Sequence, residues 1–152
     1  MKHLSASGRV ALGAGLSCLL MGGFVLAGWW LDVPSFRSLL TPAGYMKANS
    51  ALGFILAGAA LALNVTPAVR RWDWFVAAVL SALVTLIGGL TLAEYLLGTN
   101  LGIDELLATD FGGDEIAPPG RMSVNGAVGF VLAGHALTLL NGQPRKRRRP
   151  MA

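Results

Sequence analysis

The sequence from residue 46 to residue 63 reads MKANSALGFILAGAALAL, and the sequence from residue 122 to residue 139 reads MSVNGAVGFVLAGHALTL. The second segment repeats the first at a constant offset, from Met46 and Met122 to Leu63 and Leu139, and 11 of 18 positions are identical. Self-similarity at a fixed offset indicates one structural unit built twice. Both segments are strongly apolar, so the repeated unit is predicted to contain a membrane helix.

The composition favours a membrane protein, with 54% apolar residues, 13% charged residues and a mean hydropathy of +0.60. A soluble domain of this size needs more charge to cover its surface. Charged residues are instead separated by four long uncharged stretches, each near the roughly 20 residues that a spanning helix requires. We therefore predict an all-α integral membrane protein with helices over about 10–31, 49–69, 74–93 and 122–141.

The repeat also predicts how these helices are organised. Repeat 1 covers about 10–69 and repeat 2 about 74–141, within a single membrane domain of residues 1–152. Because a two-helix unit returns the chain to its starting side, the copies are expected to be parallel. They would be related by a pseudo-twofold axis along the membrane normal.

The distribution of basic residues predicts the orientation. If the N-terminus is cytoplasmic, the inner side carries nine basic residues and one acidic residue, and the outer side carries three basic and seven acidic residues. The positive-inside rule then places both termini in the cytoplasm. The basic tail at 142–152 is expected to anchor to lipid headgroups rather than to bind nucleic acid.

The first apolar segment has a second interpretation, a cleaved signal peptide with Lys2 and Arg9 as its charged region. Its length favours a retained helix. So does its similarity to the third segment, since Gly22-Gly23 before Trp29 parallels Gly88-Gly89 before Tyr95. The single cysteine, Cys18, excludes an intrachain disulfide.

Small residues at a spacing of four occur in both copies of the repeat, at Gly53 and Ala57 and at Gly129 and Ala133. This spacing lets helix backbones approach closely in a membrane. We therefore expect the second and fourth spans to pack together near the pseudo-twofold axis, with the other two spans more peripheral.

Four polar residues in or beside the spans are candidates for ligand binding. Asn49 and Asn125 are equivalent in the repeat, Glu94 ends the third span, and His135 replaces Ala59 of the first copy. Ionisable residues within spans are functional candidates by default. For His135 we favour a neutral imidazole bonded to a neighbouring helix, with a haem or quinone enzyme as a minor alternative. No catalytic residue, metal site or cofactor is predicted.

The loop from residue 96 to residue 121 is the longest extramembrane segment outside the termini. Leu101, Ile103, Leu106 and Leu107 alternate with polar residues, which predicts a short amphipathic helix on the membrane surface. The acidic residues farther along are expected to be solvated rather than to bind a cation.

The sequence GIDELL at 102–107 is followed by PGRMSVNGAVGF at 119–130, and MKANSALGF lies upstream at 46–54. This pattern resembles the multi-helix membrane region at the N-terminus of many bacterial sensor histidine kinases and diguanylate cyclases, which typically reads GIDxLL and then PGRMxxNTAxxF. The resemblance covers most of the chain. It implies a bacterial inner-membrane protein that senses a signal or anchors an output domain.

In that family a cytoplasmic PAS, kinase or cyclase domain follows, whereas this sequence stops at Ala152. We expect either the membrane part of a longer protein or a stand-alone relative. The predicted function is a non-enzymatic sensory or anchoring module for a cytoplasmic partner, and the alternative is a small structural or assembly subunit of a larger membrane complex. The expected partners are the lipid bilayer and a second copy or a larger complex, without nucleic acid.

Overall fold

The computed structural model describes residues 4–38, 45–66, 71–110 and 118–142, and the secondary structure of these residues is helical, with no strand. The helices are α1 (Ala6–Trp30), α2 (Pro34–Arg37), α3 (Ala48–Val65), α4 (Arg71–Leu97) and α5 (Val124–Gly142). Of these, α1, α3, α4 and α5 are long and apolar enough to cross a membrane. The predicted all-helical protein with four candidate spans is confirmed, and it indicates a multi-pass membrane protein.

The helix ends differ from the predicted ones for local reasons. Helix α1 begins earlier because the Ser5 hydroxyl accepts a hydrogen bond from the Gly8 amide at 3.1 Å and caps it. Helix α3 ends at Val65, since Thr66 is extended before Pro67, and a residue before proline disfavours helix. The predicted end at residue 69 and most of the basic tail lie outside the described residues.

The spanning helices form two antiparallel pairs, α1 with α3 and α4 with α5, joined mainly through contacts between α3 and α4. Glycine permits the closest approach within each pair. A Cβ on Gly22 would lie 2.5 Å from the Ala51 carbonyl oxygen, and a Cβ on Gly88 would lie 2.5 Å from the Ala127 carbonyl oxygen. Any side chain larger than hydrogen would push these backbones apart.

A second close approach occurs about two turns away in each pair. A Cβ on Gly58 would lie 2.5 Å from the Gly15 carbonyl oxygen, and a Cβ on Gly134 would lie 2.9 Å from the Ser81 carbonyl oxygen. Both of these glycine contacts in the α1–α3 pair therefore have a counterpart in the α4–α5 pair. The matching contact residues on α3 and α5 occupy equivalent positions of the sequence repeat. The matching contact residues on α1 and α4 are related by a second, shorter offset.

Helices α3 and α5 pack less closely than the sequence predicts. Gly53 is buried, and a Cβ there would lie 2.5 Å from the ring of Phe130. Gly129 is exposed with no atom within 4 Å of its Cβ position, and Ala57 and Ala133 are half-buried. The predicted close contact through Gly129 is therefore wrong, because the bulky Phe130 ring lies between the two helices and holds them apart.

The predicted surface helix at 101–107 is also wrong. Residues 98–110 contain turns and no helix, with positive φ at Gly98 and Gly102. Leu101 and Leu106 are exposed, whereas Leu107 packs against the buried cluster between α1 and α3. The loop is folded by its polar contacts rather than by an amphipathic pattern.

Adjacent glycines provide a test of the backbone contacts. Gly88→Ala places a methyl group against the Ala127 carbonyl, and we expect it to lower the free energy of unfolding by about 1–3 kcal/mol. Gly89→Ala meets no atom within 4 Å and should change it by no more than about 1 kcal/mol. Unfolding of the purified protein in mixed micelles measures both, and equal destabilisation would contradict the close approach.

Candidate functional site

A groove with a volume of about 980 Å³ runs between α3 and α5. Most of its lining residues are small or apolar ones from both helices, together with Cys18 of α1. The lining includes Gly129, Ala57 and Ala133, three of the four residues expected to bring the helices into contact. The small residues therefore widen a space between the helices rather than close it.

The polar residues of the groove are gathered at one end, where α1 and α4 finish and α3 and α5 begin. We call this the cap end. Three basic side chains, Arg37, Lys47 and Arg121, line the groove here beside Tyr45 and Ser123. Among the described residues that line the groove, none is acidic. The wall is therefore basic at one end and apolar along the rest of its length.

Arg121 is the most buried of these cations, with 5% of its side chain exposed. Its Nε donates to Asp104 Oδ2 at 2.7 Å and lies 3.5 Å from Glu94 Oε2. Its Nη2 donates to the Thr99 carbonyl at 3.2 Å, and its guanidinium lies over the ring of Tyr95. Charges this deeply buried require such partners, since desolvation of an unpaired one is costly.

Lys47, just before α3, makes the second ion pair. Its Nζ lies 2.7 Å from Asp110 Oδ2, and that oxygen also accepts a hydrogen bond from the Gly120 amide at 3.0 Å. The Asp110 amide donates in turn to Glu105 Oε1 at 2.7 Å. The loop between α4 and α5 is thus fastened to the start of α3, in the other helix pair.

These contacts fold residues 98–110 and 118–123 into a cap over one end of the bundle. The cap extends the α4–α5 pair but packs on the α1–α3 pair, where Leu107 and Ala108 contact a buried cluster. The Trp30 indole also donates to the Leu107 carbonyl at 3.4 Å. The cap is therefore the part of the described chain that joins both pairs at this end.

Arg37 is held by residues of its own helix pair. It forms an ion pair with Asp32, donates to the Gly28 carbonyl at 3.1 Å and lies 4.5 Å from the centre of the Trp29 ring. The Trp29 indole donates to the Met46 carbonyl at 2.8 Å. An arginine over an aromatic ring gains a cation–π contact.

The α4–α5 pair repeats this arrangement. The Tyr95 hydroxyl donates to the Met122 carbonyl at 3.0 Å, and Arg121 lies 5.4 Å from the centre of its ring. Tyr95 is the counterpart of Trp29 at the shorter offset, and Met122 is the counterpart of Met46 at the offset of the sequence repeat. The same two offsets relate the glycine contacts. At the cap end, each pair thus has an aromatic side chain that donates a hydrogen bond to a backbone carbonyl and lies beneath an arginine.

The backbone at Gly120 explains why a glycine precedes Arg121. Its φ is +69°, a conformation that side chains disfavour, and a Cβ there would lie 2.6 Å from the Asp104 carbonyl oxygen. The Pro-Gly-Arg segment and the Gly-Ile-Asp segment are therefore in direct contact. The sequence patterns did not predict this contact between the two segments. The feature that could have indicated it is a loop rich in acidic residues with only a few cations nearby.

The candidate residues from the sequence are scattered. Glu94, near the end of α4, pairs with Arg121 of the cap and accepts a hydrogen bond from the Leu101 amide at 2.8 Å. Asn49 is buried at the start of α3, and its Oδ1 has no hydrogen-bond partner among the described residues. Asn125 is exposed, and Ser123 rather than Asn125 accepts a capping hydrogen bond, from the Gly126 amide at 3.2 Å.

His135 is exposed on the side of α5 that faces away from the groove, beside the exposed Leu132 and Leu139. Within the described residues, no group of three or more His, Cys, Asp or Glu side chains is placed to hold a metal ion. His135 therefore lies apart from the other candidate residues that the sequence indicated.

Comparison with known proteins adds no relative, since no family model, curated protein or solved structure matches the chain.

Two ion pairs at the cap end differ in burial and can be compared directly. Asp104→Asn leaves the buried Arg121 without its main counter-charge, and we expect a loss of about 3–5 kcal/mol of unfolding free energy. Asp32→Asn removes the partner of Arg37, but Asp32 is 90% exposed, so the loss should stay below about 1 kcal/mol. Equal losses in micelle unfolding would refute the structural role of the buried pair.

Proposed function

We propose that this chain is a non-catalytic sensory or anchoring module of the bacterial inner membrane, acting on a cytoplasmic partner. One observation carries the proposal: the cap forms ion pairs with the start of α3 and the end of α4, leads directly into α5 and lies on α1. A change at the cap therefore shifts the ends of the spanning helices together. Rigid helices carry such shifts across a bilayer.

The proposal includes the predicted topology, with two parallel two-helix repeats and both termini in the cytoplasm. The matched glycine contacts in the two pairs support the repeat. The excess of basic residues on the side of the termini supports the orientation. In this topology the cap faces the periplasm, where an external signal arrives, and the predicted tail of residues 142–152 faces a cytoplasmic partner.

Labelling of single cysteines tests this orientation. In a Cys18→Ser background, Thr109→Cys places a thiol at an exposed position of the cap, and Met151→Cys places one in the tail. A membrane-impermeant maleimide should label the first variant in intact spheroplasts and the second only after lysis. The reverse pattern would overturn the orientation.

The sensing role is tested by removing the charges of the cap without unfolding it. Replacing Glu94, Asp104 and Arg121 together by Met, Leu and Met leaves no unpaired buried charge, and such replacements are often neutral or stabilising. The variant should insert normally but shift the host transcript profile towards that of a strain lacking the gene. Asp32→Asn is the matched control and should keep the wild-type profile.

A second measurement separates sensing from mere anchoring. Deleting residues 99–118 should alter the downstream response while leaving membrane insertion intact. If both cap variants insert in normal amounts and support an unchanged response, the sensing role fails and only anchoring remains.

The alternative, a structural or assembly subunit of a larger membrane complex, is favoured by the position of His135. Its imidazole is exposed in the middle of α5, where a bilayer offers no hydrogen-bond partner. A polar group on a lipid-facing surface therefore favours a contact with another protein helix. This helix would come from a second copy of the chain or from a different subunit.

Purification in mild detergent distinguishes these partners. A module that dimerises should elute as two copies, and a subunit should elute in stoichiometric amounts with other proteins. His135→Leu should weaken whichever association occurs, by about 5-fold to 30-fold if one interhelical hydrogen bond of about 1–2 kcal/mol is lost. Ala82→Leu, exposed on α4, is the matched control. A monomer unaffected by the His135 change would exclude both associations.

A further inference from the structure

We propose that the groove between α3 and α5 is a binding site for an anionic phospholipid. One acyl chain lies along the groove, and the phosphate lies at the cap end against the basic side chains. The proposal requires that the four helices span a membrane, but it does not depend on a sensing role.

The dimensions of the groove suit an acyl chain. Along α3 and the residue before it, the lining runs from Lys47 to Leu61, which at 1.5 Å per residue corresponds to about 21 Å. This is about two thirds of the roughly 30 Å hydrocarbon core of a bilayer. The volume of about 980 Å³ lies at the upper end of the usual range for ligand sites, about 300–1,000 Å³.

The distribution of polarity along the groove matches a molecule with one polar end. Away from the cap end, the walls are residues such as Phe54, Leu61 and Leu137, together with the weakly polar thiol of Cys18. At the cap end, tyrosine and serine side chains lie beside the three cations. A wholly apolar ligand would leave these groups unused, whereas a phospholipid presents its polar group there.

The charged side chains among the described residues that line the groove are all basic, although each is already ion-paired with an acid, and this favours an anionic headgroup. Arg37 and Arg121 each carry five N–H donors, and in each case the hydrogen bonds to described residues use only two of the three guanidinium nitrogens. The acids that pair with them do not line the groove. Arginine donors that remain available favour a phosphate, which accepts charge-assisted hydrogen bonds.

The groove is also accessible from the bilayer. Gly129 and Ala136 line it and are exposed, and no atom lies within 4 Å of the Cβ position on Gly129. An apolar space of this size in a membrane is filled by what surrounds it, because unfilled space forfeits dispersion contacts. Phospholipid is the most abundant molecule there with both an acyl chain and a phosphate.

Photo-crosslinking of the full chain in phosphatidylcholine vesicles tests the proposal. The probes are trace amounts of phosphatidylglycerol and phosphatidylcholine that carry the same diazirine acyl chain. We expect the phosphatidylglycerol probe to label peptides of α3 and α5 about tenfold more than the phosphatidylcholine probe. Both lipids carry the phosphate, but the choline ammonium adds a positive charge beside the three basic side chains, and about 1.4 kcal/mol of repulsion corresponds to that factor. Equal labelling by the two probes would overturn the anionic specificity.

Matched glycine variants test the location. Gly129→Phe fills the groove. Gly89→Phe adds the same side chain at a position that does not line the groove and has no atom within 4 Å. The first should abolish labelling of α3 and α5, and the second should leave it unchanged. If Gly129→Phe does not fold, as judged by gel filtration, Ala133→Leu replaces it. Undiminished labelling in the folded variant, or crosslinks to a second copy in place of lipid, would overturn the site.

A headgroup variant tests the basic end. Replacing Arg37 by Gln together with Asp32 by Asn removes both members of the exposed ion pair, so no charge is left unpaired. The preference for phosphatidylglycerol should fall severalfold while acyl-chain labelling of the groove remains. A preference that is unchanged would exclude Arg37 from the headgroup contact.

Discussion

The buried guanidinium of Arg121 holds the cap together and with it one end of the bundle. It lies between Asp104 and Glu94, so that the end of α4, the following loop and the start of α5 share one charge cluster. Replacing a buried ion pair with apolar residues often costs nothing, but removing one partner costs several kcal/mol. Such a cluster therefore specifies one arrangement of the loop more than it stabilises the fold.

Along the apolar length of the four long helices, close packing depends on glycine rather than on charge. The backbones of α1 and α3 meet at Gly22 and Gly58, and those of α4 and α5 meet at the equivalent Gly88 and Gly134. Lipid provides no hydrophobic drive for association, so contact area gained by close approach takes its place. The two helices of each pair are therefore closely packed, and the unfilled space lies between the pairs.

The groove is associated with a difference between matching residues of the two similar sequence segments, 46–63 and 122–139. Phe54 and Phe130 occupy the same position in the repeat, and their rings meet edge to face with centres 5.4 Å apart. Both rings line the groove, but Phe130 lies against Gly53, whereas no atom lies within 4 Å of the Cβ position on Gly129. Two copies that differ in this way cannot pack symmetrically, and an apolar space remains beside α5.

The amino-acid sequence alone determined the number, approximate length and apolar character of the four spans, because these follow from local composition and helix geometry. It also located the small residues, but Gly53 and Gly129 look alike in sequence and differ in surroundings. Only the tertiary structure decided which helices pair, where the groove lies and that Lys47 meets the distant Asp110. These outcomes depend on side-chain shape and on charges far apart in sequence, which no local pattern encodes.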